Sequence, residues 1–135
     1  MIVDTSALLA YFDASEPAHT SVSAAIEASE EPLVVSPFVI AELDYLVLSR
    51  HGSRAEQAVL AELCGGAWEL AIMDRNRLAQ AAAVVERYAD VPIGVADASS
   101  LVLAQEYRTT TILTLDRRHF TILRLSDGSA LRVLP

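Results

Sequence analysis

At 135 residues the chain is long enough for one sizeable core and too short for two, and 53% of it is apolar. It contains no lysine, which excludes Schiff-base chemistry, a phosphate-loop lysine and the lysine of receiver domains. Its single Cys64 excludes an intrachain disulfide and a cysteine zinc site. The net charge of −8 argues against a nucleic-acid partner, but residues 1–70 hold two arginines against eleven acids while residues 71–135 hold eight against seven.

The first element is Ile2-Val3, a short buried strand that stops at Asp4. Thr5 and Ser6 follow, and then Leu8, Leu9, Tyr11 and Phe12 at helical spacing. Pro17 breaks this helix, and His19 to Ser29 reads as a second one. Glu30-Glu31-Pro32 is a turn before the strand Leu33-Val34-Val35. Ser36 and Pro37 are an N-cap and a first helical residue, opening a helix that ends near Gly52. Ser53-Arg54-Ala55-Glu56 has the form of a capping box, opening a helix that Gly65-Gly66 ends. Cys64, in that apolar helix, is expected to be packed. Trp68 to Met73 reads as a strand, and Asp74 caps a helix to about Tyr88. Asp90 to Gly94 is a loop, followed by a helix through Asp97, Leu101 and Leu103 to Tyr107. Thr110 to Leu115 is a β-branched strand ending at Asp116. Asp127-Gly128-Ser129 supplies a turn before a last strand, Leu131 to Leu134.

Strands alternating with helices predict an α/β fold in one domain, 1–135, with a parallel sheet covered on both faces. No apolar run reaches the roughly 18 residues of a membrane helix. The N-terminus lacks the basic stretch of a signal peptide, so a cytoplasmic protein is expected.

Four acids stand where solvated faces do not account for them. Asp4 and Asp116 end strands that should be parallel, and Glu42 and Asp97 lie early in helices that should begin at the same sheet edge. That edge is where open α/β folds bind ligands. Each acid alone has an ordinary explanation, as a helix cap or half of a surface ion pair. Four converging without lysine would repel one another and raise their own pKa values unless cations balance them. All-oxygen donors suit Mg²⁺ or Mn²⁺. An aspartyl phosphatase would need an acid at position 6, which is Ser6, and a lysine.

The same residues carry a resemblance. Ile2-Val3-Asp4-Thr5-Ser6-Ala7-Leu8, Ser36-Pro37-Phe38-Val39-Ile40-Ala41-Glu42, Ile93-Gly94-Val95-Ala96-Asp97-Ala98 and Thr111-Ile112-Leu113-Thr114-Leu115-Asp116-Arg117-Arg118-His119-Phe120 occur in the order and near the spacing of PIN-domain ribonuclease toxins of the VapC type. The chain is similar to that family over its whole length. The resemblance implies a three-layer sandwich with a central parallel sheet of about five strands and helices on both faces. It implies a Mg²⁺- or Mn²⁺-dependent endoribonuclease that cuts structured RNA and inhibits translation, a homodimer held in check by a VapB-type antitoxin. It places Asp4, Glu42, Asp97 and Asp116 at the metal, with Ser6 and Thr114 as hydroxyls bonded around the cluster. The rival is a silent PIN module that binds RNA or a partner without cutting. Arg117 and Arg118, beside Asp116, are the candidate RNA contacts. His119 is a possible proton donor but is expected at the surface.

Overall fold

A computed structural model describes residues 1–135. Five short strands form one sheet: β1 (Ile2–Val3), β2 (Val34–Val35), β3 (Glu69–Leu70), β4 (Thr111–Leu113) and β5 (Arg132–Leu134). Their order across the sheet is β3-β2-β1-β4-β5 and every pairing is parallel. Seven helices connect them: α1 (Thr5–Phe12), α2 (His19–Glu27), α3 (Pro37–His51), α4 (Ser53–Leu63), α5 (Arg75–Arg87), α6 (Val95–Glu106) and α7 (Arg117–Phe120).

Side chains of a strand alternate between faces, and the two core clusters follow that alternation. Ile2, Val34 and Ile112 pack with Ala81 and Val84 of α5, with Ala98, Leu101 and Leu103 of α6, and with Phe120. Val3, Val35 and Leu113 point the other way, onto Leu8, Val22, Leu43 and Leu63 of α1, α2, α3 and α4. Helices therefore cover both sides of the sheet, and the central strands are buried on both faces. The expected α/β sandwich is the one observed.

The strand order places the site. From β1 the chain moves outward to β2 and β3, then crosses back to lay β4 on the other side of β1. The carboxyl ends of β1 and β4 flank the point where the direction of winding reverses, and there the connections part to leave a crevice. Asp4 leaves β1 there, its N–H bonded to the Leu113 carbonyl at 3.0 Å, and Thr114 to Asp116 leave β4 beside it.

Three local expectations are corrected. The Ser53–Glu56 capping box does not form: Gly52 is the N-cap and Ser53 is already helical. Gly52, at φ +81°, ends α3 by donating to the Leu48 carbonyl and starts α4 by accepting from the Glu56 N–H. One glycine serving both helices leaves no extended residue for a serine cap. Strand β3 covers only Glu69–Leu70, because it is an edge strand whose sole neighbour, β2, offers two residues to pair with. Cys64 is exposed, lying at the C-cap of α4, where the chain turns away towards Gly65.

Candidate active site

A cavity of about 400 Å³ opens at the carboxyl edge of the sheet. Its walls carry Asp4, Thr5, Ser6, Glu42, Asp97, Asp116, Arg50 and His119. The four acids singled out by sequence are therefore brought together. Each arrives from a different element: the end of β1, the second turn of α3, the first turn of α6 and the start of α7.

Three of the four carboxylates also cap helices. Asp4 is the N-cap of α1, accepting from the Ser6 N–H at 3.4 Å, and Asp116 is the N-cap of α7, accepting from the His119 N–H at 3.4 Å. Asp97, at the third position of α6, reaches back to the Gly94 N–H at 3.2 Å. The cap and the site are thus one feature. A carboxylate that satisfies a free helix N–H is fixed in place at the positive end of that helix.

Asp4 is the most firmly held. It is 5% exposed, and its Oδ2 accepts from the Ser6 hydroxyl at 2.8 Å and the Thr114 hydroxyl at 2.7 Å. Those hydroxyls accept in turn: Ser6 Oγ from the Leu115 N–H at 2.9 Å, and Thr114 Oγ1 from the Asp116 N–H at 3.0 Å. Ser6 and Thr114 therefore tie the carboxylate after β1 to the loop after β4. Glu42 is exposed, although solvated faces were not expected to account for it. The Thr5 hydroxyl donates to its Oε2 at 2.5 Å, joining α1 to α3.

Asp97 shows the charge problem of the site. Burial pushes its carboxyl above the ordinary carboxylate range, and the charges of Asp4 and Asp116 push the same way. The Gly94 N–H and His119 oppose them.

His119 is not at the surface. Its side chain is 11% exposed, and Nδ1 lies 3.3 Å from Asp97 Oδ2 and 3.2 Å from Asp116 Oδ2. Neither ring nitrogen is aligned for a hydrogen bond, so the contact is one of proximity and charge. A three-residue spacing from Asp116 on one helical turn was the available signal, masked by the two arginines before it. Sequence reading also missed the Ser36–Ser99 link. Ser36 Oγ and Ser99 Oγ are 2.7 Å apart in the buried seam between α3 and α6, and Ser99 donates onward to the Ala96 carbonyl. This fixes the helix of Glu42 against the helix of Asp97. Arg117 and Arg118 lie on α7 outside the cavity wall, with the Arg117 guanidinium donating to the Pro135 carbonyl.

The chain is similar to known proteins over its whole length. Residues 1–124 match the PIN domain. Ribonuclease VapC26 of Mycobacterium tuberculosis is 60% identical over 135 residues, the whole of both chains. The crystal structure of Mycobacterium tuberculosis VapC20, described as a sarcin-ricin loop cleaving toxin, superposes with a TM-score of 0.83. It is 20% identical and covers 99% of this chain and 98% of that one. A chain from a toxin–antitoxin complex of Klebsiella pneumoniae gives a TM-score of 0.67 at 19% identity, with 88% of each covered. At those identities the two structures speak for the fold, and the full-length relative and the domain match speak for the family: the chain belongs to the PIN-domain family, among ribonucleases of the VapC type.

Proposed function

We propose that this chain, as one PIN domain, is a divalent-metal-dependent endoribonuclease, the toxin of a VapBC-type pair that cuts structured RNA and thereby inhibits translation. The observation that carries the reading is the convergence of Asp4, Glu42, Asp97 and Asp116 on one cavity at the reversal point of a parallel sheet. The donor chemistry suits a hard cation: four carboxylates with no thiolate. The Asp97 carboxyl is raised first by burial and further by the charges of Asp4 and Asp116, a repulsion that a cation would offset. The side chains are not drawn around one point, since no three His, Cys, Asp or Glu residues are grouped as ligands. The fit to Mg²⁺ or Mn²⁺ therefore rests on the donor set and the shared cavity.

Asp4, Glu42, Asp97 and Asp116 are the residues that would hold the ion. Bound there, it supplies polarisation of the phosphodiester and activation of water for in-line attack. The chain's own part is to hold the groups still. Ser6 and Thr114 fix Asp4, Thr5 fixes Glu42, and the Gly94 N–H fixes Asp97. His119 Nδ1 lies within 3.3 Å of both Asp97 and Asp116, where it offsets part of the repulsion on Asp97. Arg117, next to Asp116, and Arg118 beside it, both exposed on α7, would meet backbone phosphates flanking the cut.

A VapB-type antitoxin and a second copy of the chain are the proposed protein partners, in the cytoplasm. The Klebsiella pneumoniae structure, which shares the fold, comes from a toxin–antitoxin complex. Tyr45 and Leu48 leave apolar surface exposed on α3, and no helix is long and apolar enough to cross a membrane.

The test is cleavage of purified bacterial RNA by the isolated chain with Mg²⁺, with Mn²⁺ and with EDTA, beside Asp97→Asn. Fragments are expected with either metal and not with EDTA, and the variant should be slower by orders of magnitude. Equal cleavage in EDTA would remove the metal from the mechanism. Binding without cleavage would favour a silent module.

A further inference from the structure

Glu42, Leu46 and Arg50 recur every four residues along α3, and all three line the cavity. That spacing places them on one face of the helix, with Cα atoms of the first and last about 12 Å apart along its axis. Arg50 is the only arginine in the cavity wall.

Its state differs from that of several other arginines. Arg77 forks onto Glu106 and donates to the Ile72 carbonyl, Arg117 donates to the Pro135 carbonyl, and Arg124 caps the carbonyls of Thr121, Ile122 and Leu123. Arg50 has Glu16 as its ionic neighbour, at 4.0 Å, with side-chain exposures of 51% and 35%. A pair that loose and that wet adds little to stability. The guanidinium is therefore free to take another anion.

A polyanion approaching four carboxylates is repelled unless cations lie along its path. An ion among the acids would answer that at the point of cleavage and nowhere else. A strand that also lies along α3 needs a second positive contact further on, and Arg50 stands where that contact would be. A span of about 12 Å is on the scale of the distance between phosphates a few nucleotides apart on one strand. Leu46, between the two ends, offers an apolar surface to a sugar or base.

We propose that Arg50 binds a backbone phosphate of the RNA a few nucleotides from the bond that is cut, so that the strand runs along the Glu42–Leu46–Arg50 face of α3. This deepens the ribonuclease reading above and rests on it for the identity of the ligand. Arg50 binds substrate in this account and takes no part in the bond-breaking step.

The test uses Arg50→Gln and Arg50→Lys in the full chain, each made in the wild-type sequence and in the Asp97→Asn background. Binding of a fluorescein-labelled RNA stem–loop to the Asp97→Asn proteins is followed by anisotropy over a salt series. Cleavage of bulk RNA is measured in the others, and melting curves are recorded for all. Arg50→Gln is expected to weaken binding about tenfold, the scale of one charged hydrogen bond at an exposed position. It should flatten the slope of log affinity against log salt by about 0.7, the value for one single-strand phosphate contact, and raise KM more than it lowers kcat. Arg50→Lys should restore the slope and only part of the affinity, because lysine keeps the charge and loses the fork. Wild-type affinity and slope in Arg50→Gln overturn the proposal. So does a loss of affinity with an unchanged slope, or one that follows a lowered melting temperature, since either marks a structural role. Binding is read without turnover, so a wild-type chain that cuts no RNA defeats the ribonuclease reading while the anisotropy still decides what Arg50 does.

Discussion

Thr114→Val isolates the hydroxyl that joins β4 to Asp4. Thr114 is fully buried and valine has nearly its shape, so the change removes two hydrogen bonds and leaves the packing. The Thr114 hydroxyl donates to the Asp4 carboxylate at 2.7 Å, and a hydrogen bond to a charged group contributes about 1.5–3 kcal/mol. The Asp116 N–H also loses its acceptor at 3.0 Å, but Asp116 is partly exposed, so water takes over much of that loss. Asp4 keeps the Ser6 hydroxyl at 2.8 Å, which limits the damage. The net cost should be about 2–3 kcal/mol, or roughly 6–15 °C in melting temperature for a chain of this length. Thr114→Ser keeps the hydroxyl and loses only a buried methyl, worth about 1 kcal/mol. Urea unfolding of both variants in EDTA at neutral pH gives the comparison. A Thr114→Val protein within about 0.5 kcal/mol of wild type, or one more stable than Thr114→Ser, would refute the claim that this hydroxyl anchors the site.

Asp97→Asn should stabilise the metal-free chain at neutral pH. A folded-state pKa raised above the ordinary value of 3.8 means that Asp97 favours the fold below 3.8 and loses that contribution as pH rises through the folded value. The advantage of the asparagine should therefore grow across that window and vanish in acid. Urea midpoints over a pH series check it, and a constant offset at all pH values would contradict it. Mg²⁺ or Mn²⁺ at a hundredfold excess over Kd should raise stability by about 2.7 kcal/mol in wild type and much less in Asp4→Asn, read by thermal melting. Equal gains in both proteins would count against Asp4 as a ligand. Cys64 is exposed, so a thiol-directed dye should label the folded protein about as fast as the urea-unfolded one, and strong protection would contradict the placement.

The layers of the fold were legible because two signals agreed. Paired apolar residues such as Ile2-Val3 and Val34-Val35 alternate faces and need cover on both, and the segments between them carry helical spacing that can supply it. What the chain did not show was how short the strands would be. A strand's length is set by its neighbours, and β3 stops after Leu70 because β2 offers two partners, whatever the apolar run Ala71-Ile72-Met73 suggests. Cap placement failed for a related reason. Ser53 and Glu56 have the right chemistry for a capping box, but the tight join at Gly52 removed the extended residue it needs.

The acids of the site were legible because a carboxylate after a buried strand or early in a helix has few ordinary homes, and the parallel order of the strands sends them to one edge. The residues that support them were less legible in proportion to how much they depend on the third dimension. Ser6 is near Asp4 in sequence, and Thr114 is near Asp116, yet the bond that matters joins positions 110 apart. His119 reads as surface from its arginine neighbours, and only the packing of Phe120 into the core shows that α7 turns the imidazole inward. Ser36 reads as a helix cap, which it is, and its second role against Ser99 needs α3 and α6 in contact. The pattern has a physical cause. Placing a charge at a sheet edge is decided by topology, which periodicity encodes. Holding that charge still is decided by single hydrogen bonds of about 3 Å, whose partners are known only once the layers have closed.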